Sequence, residues 1–147
     1  MPRQQGDPAF AVDEQLYRRL REDWIGIDGR VRTTAIDLPA TSVDRGMLVG
    51  APSDCLTRGG ADDVGVGAIA FGNVPDRFEV LPEKPGAPAA KPYDSVVVHK
   101  PENGNEAHSE IQFWEVGDTE ASKPNGNPMK SKIRRELAER MQLVYRR

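Results

Sequence analysis

A chain of 147 residues with a formal net charge of −3 and 37% hydrophobic residues is long enough for one domain with its own core. Its one cysteine, Cys55, excludes an internal disulfide and any zinc site built on several thiolates. No run approaches the ~18 consecutive apolar residues of a membrane-spanning helix, and residues 1–7 lack the apolar core of a secretory signal, so a cytoplasmic protein is predicted.

The charge is unevenly spread. Residues 130–147 carry seven Lys or Arg against two Glu, a local +5, whereas residues 1–129 carry 13 basic against 21 acidic groups, or −8. An acidic body argues against capture of nucleic acid, which needs a basic face to displace counterions. The basic helix over 130–147 is the one candidate surface for it. A solvated helix face with cations near its C-terminal end explains the same residues.

Along the chain, residues 1–9 read as a flexible leader before a single α+β domain over 10–147. Asp13 can cap a short helix over Glu14–Arg21, with Leu16, Tyr17 and Leu20 on one side. A strand over Gln15–Leu20 competes, because so few residues separate it from the turn pair Asp28-Gly29. That pair predicts a hairpin from Trp24–Ile27 to Arg30–Thr34. Ser42-Val43-Asp44-Arg45 can open as a capped turn or run extended, and 51–63 reads as a mobile loop. Val64–Phe71 is predicted as a buried strand whose Gly65 and Gly67 leave one side open to close approach. Phe78–Leu81 continues as a strand.

Long loops follow at 82–93, rich in Pro and Ala, and at 117–129. The last element is a helix over Ser131–Tyr145, capped by Ser131 and striped by Ile133, Leu137, Met141 and Val144. The predicted architecture is a mixed or antiparallel sheet packed by this C-terminal amphipathic helix.

Several of these landmarks resemble, in their order, a group of small bacterial proteins. The residues that carry it are Leu16-Tyr17-Arg18-Arg19-Leu20, Asp28-Gly29-Arg30, Ser42-Val43-Asp44-Arg45 and Asn105-Glu106-Ala107-His108. In that group a Leu-Tyr-Arg start precedes a Ser-Val-Asp segment and a late Asn-Xaa-Ala-His motif. The resemblance implies an arrangement over roughly 16–144 and brings no activity with it. The chain departs from the group's pattern in Thr33-Thr34-Ala35, where Ser-Ser-Ala is usual, and in a longer 117–129 connector.

The only two histidines, His99 and His108, flank a turn centred on Asn103-Gly104. In that register facing residues have numbers summing to 207, so His99 stands opposite His108 with Glu110 and Gln112 further along the same face. Paired imidazoles could hold a metal with Glu110 or Glu106 as third ligand, or supply a general base, since histidine titrates near pH 6.5. Two unrelated surface histidines are the plain alternative, and no metal is assigned. His108, Glu110 and His99 are thus the candidate catalytic residues.

Arg18, Ser42, Asp44 and Arg45 are candidate substrate-binding residues, because guanidinium forks suit carboxylate or phosphate. Capping and surface pairing explain them as well. Arg18 followed much later by Glu110 is also similar to the order in toxins that transfer ADP-ribose. Gly65, Gly67 and Gly72 form neither a dinucleotide nor a P-loop fingerprint, and the cofactor stays unassigned.

Two functions remain open. One is an accessory or protein-interaction module, docking through an edge strand, the Pro-rich loop or the basic helix face. The other is a small enzyme using His108 and Glu110, with Arg18 or Arg45, on a nucleotide or phosphate-bearing substrate. The oligomeric state is not legible.

Overall fold

Three leader residues already form a strand. In the computed structural model, which describes residues 1–147, Arg3–Gln5 (β1) pairs in parallel with a later strand, placing Arg3 beside Val96 and Gln5 beside Val98. So short a strand shows no readable alternation. A side-chain clamp secures it instead: Gln4 Oε1 accepts from the Phe10 amide at 2.6 Å, and Gln4 Nε2 donates to the Phe10 carbonyl at 3.3 Å.

Gln15–Arg21 (β2) is the competing strand and not the short helix. Leu16 and Leu20 suit either reading, since four residues apart is one helical turn or two strand repeats. Arg18 hides the alternation because it points to the same face as the two leucines and is itself buried. Ala40–Arg45 (β3) pairs antiparallel with β2 and leads into the four-residue helix Gly46–Val49 (α1).

Residues 51–63 are more ordered than their composition suggests. Pro52–Arg58 is a 3₁₀ helix that buries Cys55 and Leu56. Asp63–Ala70 (β4) follows, and its two glycines face protein. A Cβ on Gly65 would meet Ile25 Cδ1 at 3.0 Å, and one on Gly67 would meet Leu20 Cδ1 at 3.3 Å. The Asp28-Gly29 turn shrinks to one bridge, Ile25 with Val31, between short 3₁₀ turns.

Arg77–Phe78 (β5) is all that forms of the strand predicted to Leu81. Tyr93–His99 (β6), with its β-branched Val96-Val97-Val98, pairs antiparallel with His108–Glu115 (β7). The final helix, Asn127–Arg140 (α2), begins a turn earlier than Ser131 and stops short of Tyr145. Gly126 and Pro128 open it, since proline suits the first helical turn. Gln142–Arg146 (β8) then takes Val144 into an edge strand beside β4.

The strand order is β1-β6-β7-β3-β2-β4-β8, with β5 also on β6 and only β1 parallel. With α2 packed on it, this is a single α+β domain. One face carries Leu16, Leu20, Val43, Val97, Ile111 and Phe113 against Met129, Ile133 and Leu137 of α2. Each such side chain contributes about 1.5–3 kcal/mol on full burial. On the other face, Val49, Cys55, Leu56, Val66 and Ala107 form a second cluster at the β2–β4 end only. The middle of that face, at Ala40, Ser42, Val98, Glu110 and Gln112, stays half-exposed. No helix is long and apolar enough to cross a membrane.

Candidate functional site

The hairpin turn forms where predicted, yet the histidines do not face each other. Glu102 and Asn105 exchange both backbone hydrogen bonds at 3.0 Å around Asn103-Gly104. Beyond the turn the Lys100 amide donates to the His108 carbonyl at 3.0 Å, and His99 is aligned with Ser109. One residue, Pro101, therefore opposes two, Glu106 and Ala107. This is a bulge, and a one-residue slip moves every later side chain to the other face.

His99 consequently lies on the α2 side of the sheet, its Nδ1 3.2 Å from Ser109 Oγ. His108 lies on the open side. The paired-imidazole reading, and with it the two-histidine metal reading, is thereby corrected.

Side chains hold the bulge in place. Asn105 Nδ2 donates to Asp44 Oδ1 at 2.8 Å, and Asn105 Oδ1 accepts from the Ala107 amide at 3.2 Å. The Ala107 carbonyl accepts from the Arg45 amide at 2.9 Å, and the Ala107 methyl is buried in the second cluster. The Ser-Val-Asp-Arg and Asn-Glu-Ala-His segments thus interlock residue by residue.

His108, only 4% exposed, is held at both ring nitrogens. Nδ1 lies 2.8 Å from the Lys100 carbonyl and 3.2 Å from Glu102 Oε1, while Nε2 lies 3.3 Å from Ser42 Oγ. Ser42 is aligned with Glu110 across β3 and β7. Glu110 Oε1 accepts from Gln112 Nε2 at 2.9 Å and from Lys100 Nζ at 3.4 Å. Gln112 Oε1 accepts from Trp114 Nε1 at 2.9 Å, and the Arg3 guanidinium covers the Trp114 ring at 5.2 Å. Alternate residues of β7 thereby form one row on the open face: His108, Glu110, Gln112 and Trp114.

Of the remaining predicted residues, Arg18 and Arg45 stand apart from this row, on the other face of the sheet. Arg45 is fully buried on the α2 side, paired with Glu14 at 2.7 Å and 2.8 Å, stacked on Phe10 and bonded to the Pro8 and Ala9 carbonyls. Its donors are spent, so it is a core ion pair and not a substrate fork. Arg18 reaches the Ala35 and Ser42 carbonyls and Asp37 from that same side, and burial lowers its pKa against the pull of Asp37. Arg18 and Glu110, whose order resembles that in toxins that transfer ADP-ribose, therefore lie on opposite faces of the sheet.

Asp44 is 1% exposed. Its Oδ2 has no hydrogen-bond partner, and Arg19 Nε at 3.9 Å is the nearest cation. Beside it, burial pushes the Cys55 thiol up to about 12, and the Asp44 carboxylate adds to this. Burial likewise lowers the pKa of His99, with the Arg45 charge acting in the same direction.

Sequence reading missed Glu102, Lys100 and Asn105 as site residues. The signal was present only for Asn105, which belongs to the Asn-Glu-Ala-His segment.

A separate groove of about 390 Å³ opens between the two long loops, lined by Leu81, Pro82, Pro88, Tyr93, Pro124 and Met129 among others. Ser42, His108, Glu110 and Gln112 line none of the five principal cavities. In comparisons with known proteins no family model matches this chain, and no curated protein or solved structure matches it.

Proposed function

We propose that the protein is a cytoplasmic protein-interaction module whose docking surface is the open face of β3, β6 and β7. One observation carries this reading: a hydrogen-bonded row of polar side chains, Glu110 to Trp114, crosses a half-exposed sheet face that lines no principal cavity. A flat face suits a macromolecular partner, whereas small ligands are taken in concave pockets. Arg3, exposed and seated over the buried Trp114 ring, supplies one of the residue types that dominate binding energy at such interfaces. The side chains are already tied to one another, so less rotamer entropy is lost on docking.

The edge strands suggested by sequence rank lower. At both sheet edges the ends resist pairing: β1 is three residues long between Pro2 and Pro8, and β8 is bulged against β4 and ends in Arg146-Arg147. An enzyme acting on phosphate draws no support from Arg18 or Arg45, whose guanidinium donors are already bonded within the fold.

The test compares tagged wild-type protein, a Glu110→Lys/Gln112→Lys variant and an off-face Lys132→Glu variant, each recovered from the cells that express it. The expected result is one protein recovered in stoichiometric amount with wild type and Lys132→Glu and lost with the face variant, at unchanged melting temperature. Identical recovery from all three sinks the proposal.

A further inference from the structure

The hydrogen bonds around His108 determine which ring nitrogen carries the proton. The Lys100 carbonyl, 2.8 Å from Nδ1, can only accept, so in the neutral ring Nδ1 is protonated. Nε2 is then an acceptor, and at 3.3 Å it receives the Ser42 hydroxyl. Glu102 Oε1 stands 3.2 Å from Nδ1, where it stabilises positive charge on the ring once Nε2 takes up a proton. A hydroxyl, a base that accepts its proton and a group that orients the base are the parts of an activated nucleophile.

The parts are also held rigidly. Ser42 and His108 come from adjacent paired strands, and the bulge that turns His108 to this face is tied to Asp44 through Asn105. The imidazole is buried, while Ser42 is half-exposed beside it. Glu110, the cross-strand neighbour of Ser42, has its Oε1 engaged by Lys100 and Gln112.

We propose that Ser42 is a nucleophilic hydroxyl, activated by His108, that accepts an acyl group from an activated ester or thioester. Ser42 Oγ attacks the acyl carbon as its proton passes to His108 Nε2. The bond from that carbon to the leaving oxygen or sulfur breaks, and His108 returns the proton to the leaving group. The products are Ser42 ester and one alcohol or thiol. His108 is the catalytic base, and Glu102 is a positioning residue. The proposal is independent of whether the same face docks a partner.

The full chain is incubated with p-nitrophenyl acetate, with nitrophenolate release followed by absorbance and acetylation mapped by peptide mass spectrometry. The expected result is one equivalent released rapidly and acetyl on Ser42. Ser42→Ala loses that burst, and His108→Gln slows it about 100-fold or more. Glu102→Gln, changed at an exposed position, keeps the fold and shifts the pH profile of the burst, covering the case in which His108→Gln does not fold. Acetyl found only on lysines and the N-terminus overturns the proposal. So does a burst of equal rate in Ser42→Ala, or a Glu102→Gln profile identical to wild type.

Discussion

Asn105 donates a 2.8 Å hydrogen bond to Asp44, 61 positions away in the chain, with both side chains at least nine-tenths buried. Asp44 Oδ1 has this amide as its partner while Oδ2 has none, so the bond is the carboxylate's main compensation for leaving water. It also anchors the bulge that points His108 toward Ser42. Asn105→Ala is expected to cost about 1.5–3 kcal/mol, the range for a hydrogen bond to a charged group. A urea melt measures this. A loss under about 0.5 kcal/mol, typical of an indifferent surface change, would contradict the role assigned to the bond.

Breaking the buried Arg45–Glu14 pair by changing one partner should cost roughly 3–5 kcal/mol, because the other charge is left unpaired in the core. Arg45→Met with Glu14→Leu should recover much of that loss. A double-mutant cycle from denaturant midpoints checks it, and additive single losses would refute the coupling.

His99 has a lowered pKa because burial, aided by Arg45, disfavours its charged form, although Glu14 opposes them. The unfolded chain therefore binds more protons near pH 6 than the folded one. Stability from this group is complete above an unfolded value of about 6.5 and falls as pH drops from there toward the folded pKa. Thermal melts from pH 8 to pH 5 should decline more steeply for wild type than for His99→Gln. Parallel curves would show that His99 contributes no such term.

Gly6 has φ +99°, and a Cβ there would lie 2.8 Å from His99 Cβ. Gly6→Ala combines a disfavoured backbone with a clash and should cost about 1–2 kcal/mol or more. Since Gly6 follows β1 directly, hydrogen exchange at Gln4 and Gln5 should accelerate while β7 amides stay protected. Uniform acceleration through the sheet would instead indicate global destabilisation.

Cys55 is fully buried, with its thiol raised to about 12, so almost no thiolate exists at neutral pH. Iodoacetamide at pH 8 should leave the native chain unmodified and label Cys55 stoichiometrically in urea. Rapid labelling without denaturant would place the thiol in solvent.

Chain-local signals were legible in the sequence. The Asn103-Gly104 turn, the strand over Val64–Phe71, the valine strand of β6 and an amphipathic final helix each rest on residues within a few positions of one another. Such signals survive into the fold because a turn needs its glycine and an apolar stripe needs its period. The Arg18 side chain shows where they fail. A buried arginine breaks the alternation of β2, and the carbonyls of residues 35 and 42 together with the Asp37 carboxylate make its burial tolerable.

The α+β class followed from composition and pattern, as did the residue types of the site. Which of those residues meet was decided by tertiary structure through one bulged residue. Because side chains alternate on a strand, Ala107 reaching into the second cluster separates His99 from His108 and joins His108 to Ser42. A contact made 61 positions away, at Asp44, leaves no periodic trace at the turn it controls.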